Sequence, residues 1–513
     1  MNGADALLAT LSANGVTICF ANPGTSEMHF VAGLDQSDVR AVLCLFEGVA
    51  TGAADGYARV TGQPAATLLH LGPGLGNGWA NLHNARRAHS PIVNIVGDHA
   101  TYHAALDAPL QSDIGAVASA LNGWFRRVER SVDVAADAAA AIAGAIGPPG
   151  RVATLVLAAD ASWDEVSAPP AWPRARVSAP AAPDAETITR VAGALGPDAA
   201  LLVGGRLDAD TLALAARVCR ARGARLMMET FPALVERGAG VVEAERVIYL
   251  SEFAIHQFAS VRTLVLVGAS EPVGFFAYPH VPSRLLNEEC EVLQLVAPGV
   301  AATSALARLA DELDAPDIEV SVGDVPARPR GELSARTFAD AVAATMPEGL
   351  IVADESNTSG VHLFEATRFA PRHRWMTLTG GAIGYGLPVA VGAAVASGSR
   401  VLALESDGSL MYTPQALWTM ARENLDVTVV ALANGRYAIL DLERQRVGAV
   451  LAGAPSEQLF DLDRPRLDLA ALARAQGVPA VTVTSAEALC DALEDSYARR
   501  GPSFIEVRLA PAF

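Results

Sequence analysis

VLALESDGSLMYTPQALWTMARENLDVTVVALAN, residues 401–434, decides how the rest of the chain is read. Its opening run, Val401-Leu402-Ala403-Leu404, is short, apolar and reads as a buried strand. The strand leads into Asp407-Gly408-Ser409. A polar cluster at the carboxyl end of a strand, with a glycine that lets the backbone approach a ligand, is where open α/β sheets bind phosphorylated molecules. A helix is expected from about Pro414 to Glu423, since proline suits a first turn. A second apolar strand, Val427 to Ala431, then delivers Asn434-Gly435 to the same edge. Parallel pairing of the two strands would bring Asp407 beside Asn434. A carboxylate, an amide oxygen and a nearby backbone carbonyl make an all-oxygen set suited to magnesium carrying a diphosphate. An ordinary strand-turn-helix with an exposed Asp-Gly turn has the same local pattern.

Composition bounds the wider reading. The 513 residues are 51% hydrophobic and only 18% charged, enough for more than one core and for two to four domains. The 38 basic residues against 56 acidic ones give a net charge of −18, which disfavours nucleic acid and anionic membranes as partners. Cys19, Cys44, Cys219, Cys290 and Cys490 are scattered without CxxC spacing and are expected as buried reduced thiols in a cytoplasmic protein, with no structural zinc. The amino-terminal stretch MNGADALLATLSANG reads as an amphipathic helix, and no signal peptide or transmembrane span is expected.

Strands and helices alternate along the chain. Residues 1–165 show strand patterns near Thr17, Ala41, Ala65, Ile92 and Ala153, and residues 186–313 show them near Ala200, Arg225, Thr263 and Glu291. Residues 333–513 form a third such unit. Two segments rich in proline and alanine or charge, 166–184 and 314–332, read as linkers. The expected architecture is therefore α/β, with three doubly wound parallel-sheet domains at 1–165, 186–313 and 333–513.

The first unit carries two clusters. Glu47 opens a helix containing Gly48, Gly52 and Gly56, each weakening the helix by about 1 kcal/mol relative to alanine. Glycines four apart line one face, so another helix or subunit is expected to pack closely there. By itself Glu47 reads equally as a first-turn acid favoured by the helix dipole. The second cluster, His70-Leu71-Gly72-Pro73-Gly74-Leu75-Gly76-Asn77, reads as a strand end, a glycine-rich turn and a helix. It lacks GxGxxG spacing, so a dinucleotide site is not expected. His70 is either a satisfied strand-end histidine or a group that moves protons near neutral pH.

The central stretch resembles the GDG…NN signature of thiamine-diphosphate-dependent enzymes, with Ser406 and Ala433 departing from it at positions outside the ligand pair. Agreement extends to Glu47 with Ala50, Ala54, Asp55, Gly56, Tyr57, Ala58 and Arg59, and to Asn22-Pro23-Gly24-Thr25-Ser26-Glu27 with His70. Nearly the whole chain is similar to acetolactate-synthase-like proteins and, next, to benzoylformate decarboxylase. The resemblance implies that Asp407, Asn434 and the Arg436 carbonyl bind Mg2+, that Gly408, Ser409 and Asn357 lie near the diphosphate, and that Gly381 and Ile383 contact and bend the cofactor. It implies Glu47 as the activating acid, with Thr25, His70 and Gln111 facing substrate.

In the loop Gly268 to His280, Phe and Ala stand where benzoylformate decarboxylase places a second histidine. No nucleotide fingerprint is found in 186–313, so FAD is not predicted. The activity implied is decarboxylation of a small or aromatic 2-oxo acid with carboligation to a second carbonyl, in a homodimer or homotetramer. Alternatives are simple decarboxylation to an aldehyde and a catalytically silent homologue. A CoA-dependent lyase would need a basic cluster that does not stand out.

Overall fold

The computed structural model describes residues 1–320, 322–450 and 453–510. In the amino-terminal third, apolar strands β1 (Ile18–Asn22), β2 (Arg40–Leu43), β3 (Ala65–Leu69), β4 (Ile92–Asp98), β5 (Trp124–Val128) and β6 (Val152–Ala158) form one parallel sheet in the order β2-β1-β3-β4-β6-β5. The middle third contributes β7 (Ala199–Val203), β8 (Arg206–Leu207), β9 (Arg225–Met228), β10 (Leu234–Arg237), β11 (Glu245–Arg246), β12 (Thr263–Val267) and β13 (Glu291–Val296). Of these, β11-β9-β7-β12-β13 make a five-stranded parallel sheet.

The last third adds β14 (Ile351–Glu355), β15 (His373–Met376), β16 (Val401–Ser406), β17 (Val427–Ala433), β18 (Ala480–Val483) and β19 (Ser503–Arg508). They build an eight-stranded sheet in the order β18-β19-β17-β16-β14-β15-β10-β8. Two strands of the middle segment, β8 and β10, thus complete this sheet, and the β10–β15 pair is antiparallel while the others are parallel. Strands β5, β10 and β15 escape a reading by apolar runs because each carries arginine. In β10 the arginine is buried: Arg237 lies 3.3 Å over the Phe364 ring and donates to Thr367 Oγ1 at 3.0 Å.

Helices cover both faces of the two larger sheets, and the expected three-unit parallel α/β architecture is what the chain adopts. The Glu47–Thr61 helix packs against the Gly386–Ser397 helix of the last third. A Cβ at Gly52 would meet Pro388, one at Gly56 would collide with the Val389 backbone, and one at Gly392 with the Ala53 carbonyl. The glycine face is therefore filled by a helix of the same chain. Beside it Arg59 and Asp55 form a fully buried ion pair, and Arg59 also donates to the Thr377 carbonyl at 2.7 Å and Thr379 Oγ1 at 2.9 Å. All five cysteines are buried and free. Among the described residues no helix is long and apolar enough to cross a membrane.

Candidate active site

Strands β16 and β17 pair in parallel with Ser406 opposite Leu432, so their carboxyl ends leave the sheet together. Asp407 begins a four-residue helix there, and the longer helix that follows runs from Ala416 to Arg422, so Pro414 precedes it rather than opening it. The Asp407 carboxylate is buried and accepts from the Gly408 N–H at 2.9 Å and the Gly435 N–H at 2.7 Å, which ties the two strand ends together. Burial pushes its carboxyl up, with these N–H donors opposing the shift. A nearby cation would lower it again.

Asn434 Oδ1 accepts from the Arg436 N–H at 2.9 Å, and its Nδ2 donates to Ser359 Oγ at 3.3 Å. The Tyr437 ring occupies the space a Cβ would need at Gly408. Ser409 Oγ donates to the Ser406 carbonyl at 3.1 Å. Asn357, at φ +48°, donates to the Glu355 carbonyl and to Ser406 Oγ, both at 3.1 Å.

These residues fit a hard cation that arrives with its own phosphate oxygens. The donors are oxygens and only one is charged. Among the described residues no three His, Cys, Asp or Glu side chains cluster as a metal set, consistent with a site that relies on one carboxylate, an amide and the backbone.

A second turn, 379–385, sits at the start of the Gly386–Ser397 helix and carries Gly381 (φ +73°) and Gly384 (φ +89°), with Ile383 half-buried between them. Glu355, at the end of β14, accepts from the N–H groups of Gly384, Tyr385 and Gly386 at 2.8, 2.9 and 2.7 Å. Its strand partner Glu405 is fully buried, and Glu405 Oε1 has no hydrogen-bond partner among the described residues. Burial pushes both carboxyls up, Glu355 to about 7, and for Glu405 the neighbouring Glu355 adds to the effect of burial. The amino-terminal third braces the same turn. His83 Nε2 donates to the Gly380 carbonyl at 3.1 Å, Asn84 Nδ2 to Ala382 at 2.8 Å and Asn81 Nδ2 to Gly384 at 3.1 Å.

At the carboxyl edge of the six-stranded sheet, Glu47 is buried in the first turn of its helix and accepts from Asn77 Nδ2 at 3.0 Å. His70 caps the Leu71–Arg87 helix, so the glycines expected as a turn lie in that helix's first turns. Leu71, buried at φ +53°, holds a backbone conformation unusual for leucine immediately after His70. His70 Nδ1 lies 2.8 Å from Glu27 Oε2, which also accepts from the Gly24 N–H at 2.7 Å.

The pair is tightly enclosed. A Cβ at Gly24 would run into the His70 ring, and one at Gly97 into the Glu27 carboxylate. Burial pushes the Glu27 carboxyl up, and His70 and the Gly24 N–H pull it back. Thr25 is exposed beside them in the Thr25–Glu27 turn. Gln111 reaches this edge through its neighbour: Ser112 Oγ fills the space beside Gly72, while Gln111 Oε1 is buried with no partner among the described residues.

The structure thus gathers Asp407, Gly408, Ser409, Asn434, Arg436 and Asn357 at one sheet edge, with Gly381 and Ile383 on the turn braced by Glu355. It gathers Thr25, His70 and Gln111 at another edge, where Glu47 also lies. Among the described residues no hydrogen bond joins the two groups directly. Sequence reasoning gave no role to Glu27, which it met only as part of the Asn22–Glu27 motif, nor to Glu355 and Glu405. The available signal was a charged residue terminating an apolar strand, as in Ile351-Val352-Ala353-Asp354-Glu355, or a carboxylate three residues after a glycine turn.

Comparison with known proteins gives concordant matches. Residues 1–120 match the thiamine pyrophosphate enzyme N-terminal TPP binding domain and residues 358–507 the C-terminal TPP binding domain. The chain is 55% identical, over 99% of both chains, to a Mycobacterium tuberculosis protein named "Putative acetolactate synthase large subunit IlvX". It is 30% identical to benzoylformate decarboxylase of Pseudomonas aeruginosa over 97% of both chains. Its fold is shared with the thiamine diphosphate-dependent 4-hydroxybenzoylformate decarboxylase of Rhodococcus jostii RHA1, at a TM-score of 0.85 and 24% identity over 99% of both chains.

Proposed function

The chain belongs to the thiamine pyrophosphate enzyme family, and on that premise we propose that it decarboxylates a 2-oxo acid with thiamine diphosphate held through Mg2+. In this reading Asp407, Asn434 Oδ1 and the Arg436 carbonyl hold the cation, with Gly408, Ser409 and Asn357 flanking the diphosphate. Gly381 and Ile383 face the aminopyrimidine, and Glu47 holds a proton against its ring nitrogen. The bound cofactor supplies the electron sink that makes loss of carbon dioxide from a 2-oxo acid feasible.

The observation that carries the reaction is the His70–Glu27 pair. Glu27 takes Nδ1 and fixes the imidazole ring, which leaves Nε2 to exchange a proton with substrate. Gly24 permits that approach, and Thr25 stands exposed beside it. Protonation of the carbon that has lost carbon dioxide releases an aldehyde. His70 is the donor for that step.

A second reading, coupling of that carbon to a second carbonyl, is favoured by Ala277 in the loop where the resemblance expects a second histidine, and by the unpartnered oxygen of Gln111. A panel of 2-oxo acids, with and without aldehyde acceptors, tests both by mass spectrometry. Carbon dioxide release with an aldehyde product supports the first reading, coupled ketones support the second, and no turnover of any member rejects both.

We also infer that Glu47 of one copy and Asp407 of another serve a single cofactor, so that the active form is a homodimer or homotetramer. Sedimentation giving an active monomer would overturn this. The five buried free thiols support a reducing cytoplasmic setting.

A further inference from the structure

Resting on the 2-oxo acid reading above, we propose that Phe275 and Phe276, from the segment between β12 and β13, form a wall that selects substrates with a flat aromatic side chain. Phe275 lies directly on Gly381. Its ring fills the volume a Cβ would take there, so the positive φ and the missing side chain of Gly381 together admit the ring. Phe276 meets Phe275 edge to face, with centroids 5.0 Å apart and planes at 71°. On its other sides Phe275 is backed by Phe231 at 5.9 Å and Tyr249 at 5.3 Å. The cluster is backed by half-buried rings and opens outward: Phe275 is 42% exposed and Phe276 53% exposed. Scattered apolar residues on a surface need no explanation, but two adjacent rings, one of them seated on the turn that carries Ile383, do.

The segment is also fixed in place. Tyr278 Oη donates to Glu443 Oε2 at 2.6 Å, Tyr249 Oη donates to Glu443 Oε1 at 3.2 Å, and Arg446 stacks 3.6 Å over the Tyr278 ring. Glu443 and Arg446 belong to the Ala438–Arg446 helix, which also carries Ile439 and Leu440 and follows the Tyr437 ring that rests on Gly408. The segment that bears the two phenylalanines is thereby latched to this helix, and in the proposal the two form the sides of the slot that takes the substrate side chain. An aryl group entering it gains edge-to-face contact with Phe276, which an alkyl group of a small 2-oxo acid does not. No acid or base is contributed by Ala277, the residue that follows Phe276. Phe275 and Phe276 carry no acid or base either, so the two rings act on specificity and not on proton transfer.

The test compares kcat/KM for benzoylformate and for pyruvate in the parent protein, Phe276→Ala and Phe275→Ala, all saturated with thiamine diphosphate and Mg2+. The parent should prefer benzoylformate, and each variant should lower the benzoylformate-to-pyruvate ratio by about 10-fold or more. In Phe276→Ala the cofactor concentration for half-saturation should stay within about 2-fold of the parent. An unchanged ratio, or a parent preference for pyruvate, overturns the proposal. Phe276 is half exposed, so its variant decides the matter even where Phe275→Ala does not fold.

If the parent turns over neither acid, the reaction reading fails on its own terms. The wall is then judged by calorimetric titration of benzoylformate into protein loaded with the unreactive analogue thiamine thiazolone diphosphate. Binding weakened about 10-fold in Phe276→Ala sustains the proposal. Equal affinity, or no binding to the parent, overturns it.

Discussion

At the carboxyl edge of the eight-stranded sheet the buried carboxylates hold backbone, whereas at the edge of the six-stranded sheet a buried carboxylate holds a histidine. Asp407 fixes the N–H groups of Gly408 and Gly435, and Glu355 fixes those of Gly384, Tyr385 and Gly386. Neither pairs with a cationic side chain. Glu27, by contrast, shares one oxygen between the Gly24 N–H and the His70 ring. Two sheets of similar design thus carry different chemistry. One edge closes its carboxylates onto backbone N–H groups, and the other keeps an imidazole ring partly open to solvent. In the function proposed above, holding the cation and diphosphate and donating a proton fall to separate sheets.

The sharpest way to break this comparison is Asp407→Ala. If that edge serves to hold, the thiamine diphosphate and Mg2+ concentration for half-saturation should rise by about 1,000-fold in a variant that still folds, with a smaller loss of stability than Glu355→Ala because two N–H groups are stranded and not three. Calorimetry finding parental affinity would remove the basis for calling it a holding edge.

Next in size is Glu355→Ala, which strands three N–H groups at a helix start and should cost about 3 kcal/mol of stability. Chemical denaturation measures this directly. Glu355→Gln, which keeps an acceptor, should recover part of the loss.

His70→Ala probes the other edge. It should slow turnover of a 2-oxo acid by roughly 100-fold without moving cofactor affinity. A variant that loses cofactor and keeps its rate would reverse the roles assigned to the two edges.

The smallest effect is a pH slope. Burial raises the Glu27 carboxyl above its ordinary value, so the folded chain binds that proton more tightly than the unfolded chain does. Its contribution to stability is fully present below the ordinary glutamate value and is lost as pH rises through the raised one. Unfolding midpoints measured from pH 4 to neutrality should therefore fall less steeply in Glu27→Gln than in the parent. Parallel curves would mean that the environment of Glu27 does not distinguish its two charge states.

Much of the holding edge was legible in the sequence. The apolar runs of β16 and β17 are uninterrupted, and strands of that kind pair in register, so the meeting of Asp407 with Asn434 followed from pattern alone. The glycine face of the Glu47–Thr61 helix announced a close neighbour, though not which one. Other features were hidden for a common reason. Glu27, Glu355 and Glu405 are acidic residues in buried places; the first two are held by backbone N–H groups or by a side chain remote in sequence, and Glu405 lies beside Glu355 on the neighbouring strand. Periodicity marks which residues are apolar and cannot mark a carboxylate made tolerable by N–H groups elsewhere in the chain. Strand β10 was obscured in the same way, because the cation of Arg237 is accommodated by the faces of Phe364 and Trp375.

The contact between the Glu47–Thr61 and Gly386–Ser397 helices sets a rule for insertions. Since Gly56 meets the Val389 backbone and Gly392 meets the Ala53 carbonyl, the helices have one azimuth and one axial setting in which both fit. One residue added inside either helix would swing everything beyond it by about 100° and drive side chains into that seam. The same residue added to segment 166–184 or 322–331 only lengthens an irregular connection on the way between them. Natural length variation in chains of this design should therefore gather in the connections and leave the two glycine-bearing helices at constant length.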